Sequence, residues 1–148
     1  MMTRRDFIIA TVTVCLTLGV VSLAQSDKPK MQSSVFDWNS VAAKPTKTGA
    51  SRGFFKAPTA TLDELECHVT TLNPGEAPHA PHQHPEEELI IVKEGTLEAM
   101  QNGTTKRAGP GSIIFEASNQ PHGLRNVGQT SATYFVIKWF SPGALKTR

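Results

Sequence analysis

Four side chains in this sequence have the types and spacing to do chemistry: His82, His84, Glu88 and His122. His82 and His84 are two residues apart. In extended chain that spacing puts both imidazoles on one face, with ring nitrogens able to reach a single ion. Pro85 follows them, and because it lacks an N–H it sits badly inside a paired strand and forces a bend. A reversal there returns Glu88 to the pair, as a carboxylate at the start of the next strand. His122 follows Pro121, precedes another strand, and offers a third nitrogen from across a barrel. Each piece alone has an ordinary reading: a surface histidine loop for His79, His82 and His84, and a solvated acidic turn for Glu86, Glu87 and Glu88. Taken together they predict a site for a divalent metal ion.

The elements that must position these groups read as short strands. The 148 residues include 11 Gly and 10 Pro, which favour strands and tight turns over long helices. Leu62 to Leu72 alternates, with Leu65, Cys67 and Val69 on one side and Glu66, His68 and Thr70 on the other. That pattern predicts a half-buried strand ended by Asn73-Pro74-Gly75. Further runs span Glu88 to Val92, Thr96 to Gln101, Ser112 to Phe115, His122 to Val127 and Ala132 to Phe140. Asn102-Gly103 between two of them is a strong two-residue hairpin signal. Such spacing predicts a single all-β domain, a sandwich or barrel, over residues 52–148. Ile90, Val92, Leu97, Ile114, Phe115, Val136 and Ile137 are expected in its core. Cys67 is expected as a small buried residue of its strand. His68 reads first as a core histidine and second as a pocket acid or base. His79 reads as a rim residue, and Glu98, Gln101, Arg125, Tyr134 and Lys138 are candidates to line the mouth.

These residues resemble the cupin superfamily. Its first motif is matched by Gly75, His82, His84, Glu88 and Gly95, with three residues between the second histidine and the glutamate and six more before the glycine. Its second motif is matched by Gly111, Ala117, Asn119, His122 and Asn126. Two departures stand out: the first spacer is one residue longer than usual, and Ala117 and Asn119 replace a proline and a glycine. Asn119 can fill the glycine's place because Asn tolerates a left-handed backbone. The resemblance covers about residues 60–140. It implies a jelly-roll barrel (the double-stranded β-helix) with one metal held by His82, His84, Glu88 and His122 inside one mouth, and Asn126 tying backbone.

Three imidazoles and one carboxylate leave an octahedral ion two open positions for water, substrate or O₂. The set suits Mn²⁺ or Fe²⁺, and Zn²⁺, Ni²⁺ and Cu²⁺ also fit. The expected function is a metalloenzyme acting on a small oxygenated molecule, with dioxygenase or other oxidoreductase chemistry preferred. The alternatives are a non-catalytic metal-dependent binding or sensing module, a lyase or isomerase, and a scaffold barrel whose ion only stabilises it. Fold alone does not choose among them.

The N-terminus addresses location. Arg4-Arg5-Asp6-Phe7 opens an apolar run to Leu23, followed by Ala24. A positive start, an apolar middle and small residues at the end are the layout of an export signal, and the arginine pair resembles the twin-arginine type. Residues 1–24 are therefore expected to direct the folded chain to the periplasm or beyond, with a retained N-terminal membrane anchor as the alternative. Folded export would let the barrel trap its metal beforehand in the cytoplasm. Residues 25–51 read as a polar linker, with residues 35–42 a docking segment because Phe36 and Trp38 are costly to leave in water. The formal net charge is only +2, from 15 basic and 13 acidic residues, which excludes the concentrated basic face that nucleic acid requires. A homodimer joined through sheet edges is expected, with Phe36 and Trp38 as candidate contacts.

Overall fold

In a computed structural model that describes residues 29–143, alternating sequence becomes two antiparallel sheets. The strands are β1 (Lys44–Thr46), β2 (Gly49–Ala57), β3 (Glu64–Leu72), β4 (Glu87–Glu94), β5 (Leu97–Gln101), β6 (Thr104–Ala108), β7 (Ile113–Glu116), β8 (His122–Asn126) and β9 (Ala132–Phe140). One sheet has the order β1-β2-β3-β9-β4-β7 and the other β6-β5-β8. The fold is all-β, a jelly roll of two antiparallel sheets. A single 3₁₀ turn, Trp38–Ser40, precedes the strands and is capped by the Asp37 carboxylate. The export segment 1–24 lies outside the described residues, and among those described no helix is long and apolar enough to cross a membrane.

The turns follow from local backbone demands. Asn102 and Gly103 both have positive φ, 49° and 81°, and close the β5–β6 hairpin at Gln101 and Thr104. Gly95, between β4 and β5, has φ 84°, and a Cβ there would lie 2.5 Å from the Ala132 Cα. Only glycine lets those two backbones pass so closely.

The core lies between the sheets and contains Leu72, Ile90, Val92, Leu97, Ile114, Leu124, Tyr134 and Val136. Two residues expected in it are elsewhere. Phe115 is 48% exposed, and Ile137 is half-buried on the outer side of β9. The cause is register. Phe55, Cys67, Ile137, Leu89 and Phe115 are successive cross-strand partners, one apolar row running along the outside of five strands. The partners one residue along face inward: in β3 these include His68 and Thr70, which line the internal cavity. The polar side of β3 is thus the inner one, and its apolar side, with Leu65, Cys67 and Val69, looks out.

Part of that outer side is covered by the chain's own N-terminal segment. Phe36 meets Phe55 at 4.9 Å between ring centroids, and Trp38 meets Phe54 and Phe135 at 6.2 and 6.1 Å. The Trp38 ring is also flanked by Arg52 and Lys93, at 4.7 and 4.6 Å. Arg52 donates to the carbonyls of Trp38 and Val41. Val69, beneath, is 1% exposed. β1 and the start of β2 fall inside the stretch 25–51 read as linker. Their composition is polar because β1 is fully exposed at the sheet edge, so no apolar alternation marks it.

Candidate metal centre

The backbone brings the histidines together before their side chains do. His82 and His122 form an isolated antiparallel bridge and exchange both N–H···O bonds, at 3.0 and 2.9 Å. Direct partners in such a pair project to the same side. His84 is held from the other loop, since its carbonyl accepts from the Asn119 N–H at 2.8 Å and the Pro85 carbonyl accepts from the Ser118 hydroxyl at 2.8 Å. Asn119 has φ 57°, the left-handed conformation that lets this loop close. One ring nitrogen from each of His82, His84 and His122 comes together within 4.8 Å.

Second hydrogen bonds orient two of the rings. His122 Nδ1 donates to the Gln120 carbonyl at 2.8 Å, and His84 Nδ1 donates to the Glu86 carbonyl at 3.1 Å. In a neutral ring this leaves Nε2 as the lone-pair nitrogen. His122 is 4% exposed, and its Nε2 is buried with no hydrogen-bond partner. His84 Nε2 stands 3.4 Å from Glu88 Oε2. Glu88 is not among the groups that converge within 4.8 Å; it approaches the cluster beside His84. The His82 imidazole is pushed down to about 4, first by burial and then by the neighbouring charges of His79, His122, His84 and Lys138. It is therefore neutral and able to donate a lone pair at ordinary pH.

The cluster opens on a cavity of about 300 Å³. His68, Thr70, Tyr134 and Lys138 line it with Glu88 and apolar Ile90, Leu124 and Val136. His68 is thus a pocket residue and not part of the apolar core; its Nδ1 donates to Glu66 at 2.9 Å. Tyr134 is 1% exposed, and burial pushes its phenol well above the ordinary value, so it acts as an O–H donor. His79 sits at the rim, its ring 4.1 Å from that of His82. Glu98, Gln101 and Arg125 do not line the cavity. Arg125 is exposed and donates to the Gly75 carbonyl, while Gln101 donates to the Phe115 carbonyl and to Glu116. Asn126, fully buried, donates to the carbonyls of Leu72 and Thr130 and accepts from the Gly128 N–H. Cys67 is half-buried, and burial raises its thiol.

Sequence reasoning missed Glu116. It is 3% exposed, is the cross-strand partner of Glu88, and is pushed up by burial while the His122 charge opposes. Its signal was parity: it shares the inward side of β7 with Ile114.

With this geometry in place, similarity to known proteins narrows the class. Residues 68–138 match the family model described as Cupin domain. Just under half of the chain matches that model, and the barrel has the jelly-roll fold of the solved structures it resembles. No curated protein sequence matches it. Among solved structures it is similar to KdgF from a Halomonas species, at 18% identity and TM-score 0.58 over 72% of this chain and 94% of that one. It is also similar to the polyketide cyclase RemF from Streptomyces resistomycificus, at 23% and 0.59 over 76% and 82%. A third is a predicted oxalate decarboxylase from Thermotoga maritima, at 16% and 0.58 over 72% and 99%. At these identities the likeness is one of fold.

Proposed function

We propose that the chain is a metal-binding cupin in which His82, His84, Glu88 and His122 hold one Mn²⁺ or Fe²⁺. It acts as a metalloenzyme on a small oxygenated molecule, by O₂-dependent oxidoreductase chemistry. The observation that carries the metal site is the buried, partnerless Nε2 of His122 inside a three-imidazole cluster. An unsatisfied buried polar atom costs about 1–3 kcal/mol, and a cation removes that cost. The backbone carbonyls behind His84 and His122 support the same reading, because ligand imidazoles are oriented through their other nitrogen. Zn²⁺, Ni²⁺ and Cu²⁺ suit the same donors. When bound, the ion supplies a Lewis acid with positions open to substrate oxygen or O₂. Around it, Tyr134 is a protonated donor, and Ile90, Leu124 and Val136 form the apolar part of the cavity wall.

Elemental analysis of the purified chain, beside a His82→Ala/His84→Ala variant, tests this. The expected result is about one Mn or Fe per chain, lost in the variant, with O₂ uptake in a substrate screen. No stoichiometric metal in either protein, even after reconstitution, overturns it. Metal without O₂ uptake redirects the function to a lyase, an isomerase or a metal-dependent binding module.

The chain is further proposed to be exported through residues 1–24 and to pair with a second copy. The Arg4-Arg5 start supports export. The β7 edge supports pairing, with Ile113 66% and Phe115 48% exposed. Trp38 is already spent on the chain's own sheet. Cell fractionation followed by light scattering of the exported protein checks both, and a cytoplasmic monomer would refute both.

A further inference from the structure

One row of charged residues crosses the larger sheet at the open end of the barrel, from exposed Lys56 through Glu66, Lys138 and Glu88 to buried Glu116, successive cross-strand partners on five strands. Four of the five have a fixed local partner. Lys56 pairs with Glu64 and Glu66 at 3.1 and 2.9 Å, and Glu66 also accepts from His68 at 2.9 Å. Glu88 stands against His84, and Glu116 accepts from Gln101 at 3.3 Å. Lys138, in the middle, forms no ion pair among the described residues. It lines the same cavity as His82, His84 and His122, and its charge is felt at His82 and at the carboxylate of its cross-strand partner Glu66.

The charge balance of that cavity is lopsided. Its lining includes one carboxylate, Glu88, and one ammonium, Lys138. Counted over the lining, a dication on the histidines together with the Lys138 ammonium outweighs Glu88 by two charges, and Glu66, which feels Lys138 from the neighbouring strand, is shared with Lys56 and His68. Excess positive charge beside apolar Ile90, Leu124 and Val136 is costly, so the loaded cavity favours an anion. We propose that Lys138 is the specificity-determining residue of this pocket, and that the substrate is a small carboxylate bearing a second oxygen donor. The second oxygen faces the metal and the carboxylate meets the Lys138 ammonium. This rests on the metal site proposed above. The cavity volume limits the ligand to a small molecule.

The test is calorimetric titration of malonate, and of its neutral analogue malonamide, into the full chain loaded with Mn²⁺, with metal content measured on every sample. Malonate is expected to bind the unaltered protein and to bind Lys138→Met at least about tenfold more weakly, equivalent to about 1.4 kcal/mol. Lys138→Arg, which keeps the charge, should stay within a few-fold, and malonamide should not distinguish the variants. Thermal melts show that each variant is folded, and Lys138→Arg keeps the test decisive if Lys138→Met is not. Equal malonate affinity in a folded, metal-loaded Lys138→Met, or no malonate binding to the metal-loaded unaltered protein, overturns the inference while leaving the metal site intact. A chain that takes up no Mn²⁺ overturns the metal site instead. Lys138-dependent malonate binding by that metal-free chain would still support the anion subsite.

Discussion

The two ends of the barrel are built on opposite terms. At one end Leu72, Leu97, Ala132 and Asn126 are completely withdrawn from water. Gly95 passes against Ala132 with no room for a Cβ, and Asn126, at the end of β8, ties the end of β3 to the β8–β9 loop. At the other end His82 is exposed as a residue although its ring packs against those of His79, His84 and His122, His84 is half-buried, and His122 is buried with an unpartnered nitrogen. Polar groups are satisfied at the closed end and left wanting at the open end. Stability is therefore concentrated where the packing is closed, and binding capacity where it is incomplete.

This contrast can be broken or sharpened by experiment. The largest effect is expected from His82→Ala/His84→Ala, which should abolish metal uptake while leaving the metal-free melting temperature close to that of the unaltered protein. A large loss of metal-free stability would show that the histidines also support the fold. Next comes Leu72→Ala at the closed end, expected to cost about 2–5 kcal/mol in denaturant unfolding, as for a buried leucine truncated in a core. Metal stoichiometry in the surviving folded fraction should stay unchanged. A coupled loss would mean that the two ends do not act separately. The smallest effect is a pH dependence of the metal-free chain. His82 is pushed down from 6.5 to about 4, so the folded state prefers the neutral ring and the unfolded state binds the proton first. Stability should fall as pH drops from 6.5 toward 4. Melting temperatures across that window should flatten in His82→Gln, and an identical slope in both proteins would refute the assignment.

The same division marks what could be read in advance. Much of the open end was legible because its signals are local: a histidine pair at spacing two, a proline that keeps the segment between it and Glu88 out of the sheet, and Asn119 where a left-handed residue was needed. Strand parity makes Lys138 and Tyr134 candidates for the mouth, but nothing in their own segment separates them from Glu98, Gln101 and Arg125. Cavity contact does. Glu116 went unnoticed because its partner Glu88 is 28 residues away and only strand pairing joins them.

By itself the sequence determined the all-β class, the hairpin at Asn102-Gly103, and a histidine-rich segment followed by a carboxylate. Period-two alternation, positive-φ demand and ligand spacing are properties of a few adjacent residues. Only the tertiary structure decided which side of each strand faces in. Alternation in β3 separated Leu65, Cys67 and Val69 from Glu66, His68 and Thr70, but apolar character pointed to the wrong interior. The outer side is partly sheathed by Phe36 and Trp38 of the chain's own N-terminal segment, and the inner side opens on a polar cavity. Which face is inside depends on register with strands far away in the chain, and so does the row that leaves Lys138 facing the histidines. A one-residue slip would turn every one of these side chains over.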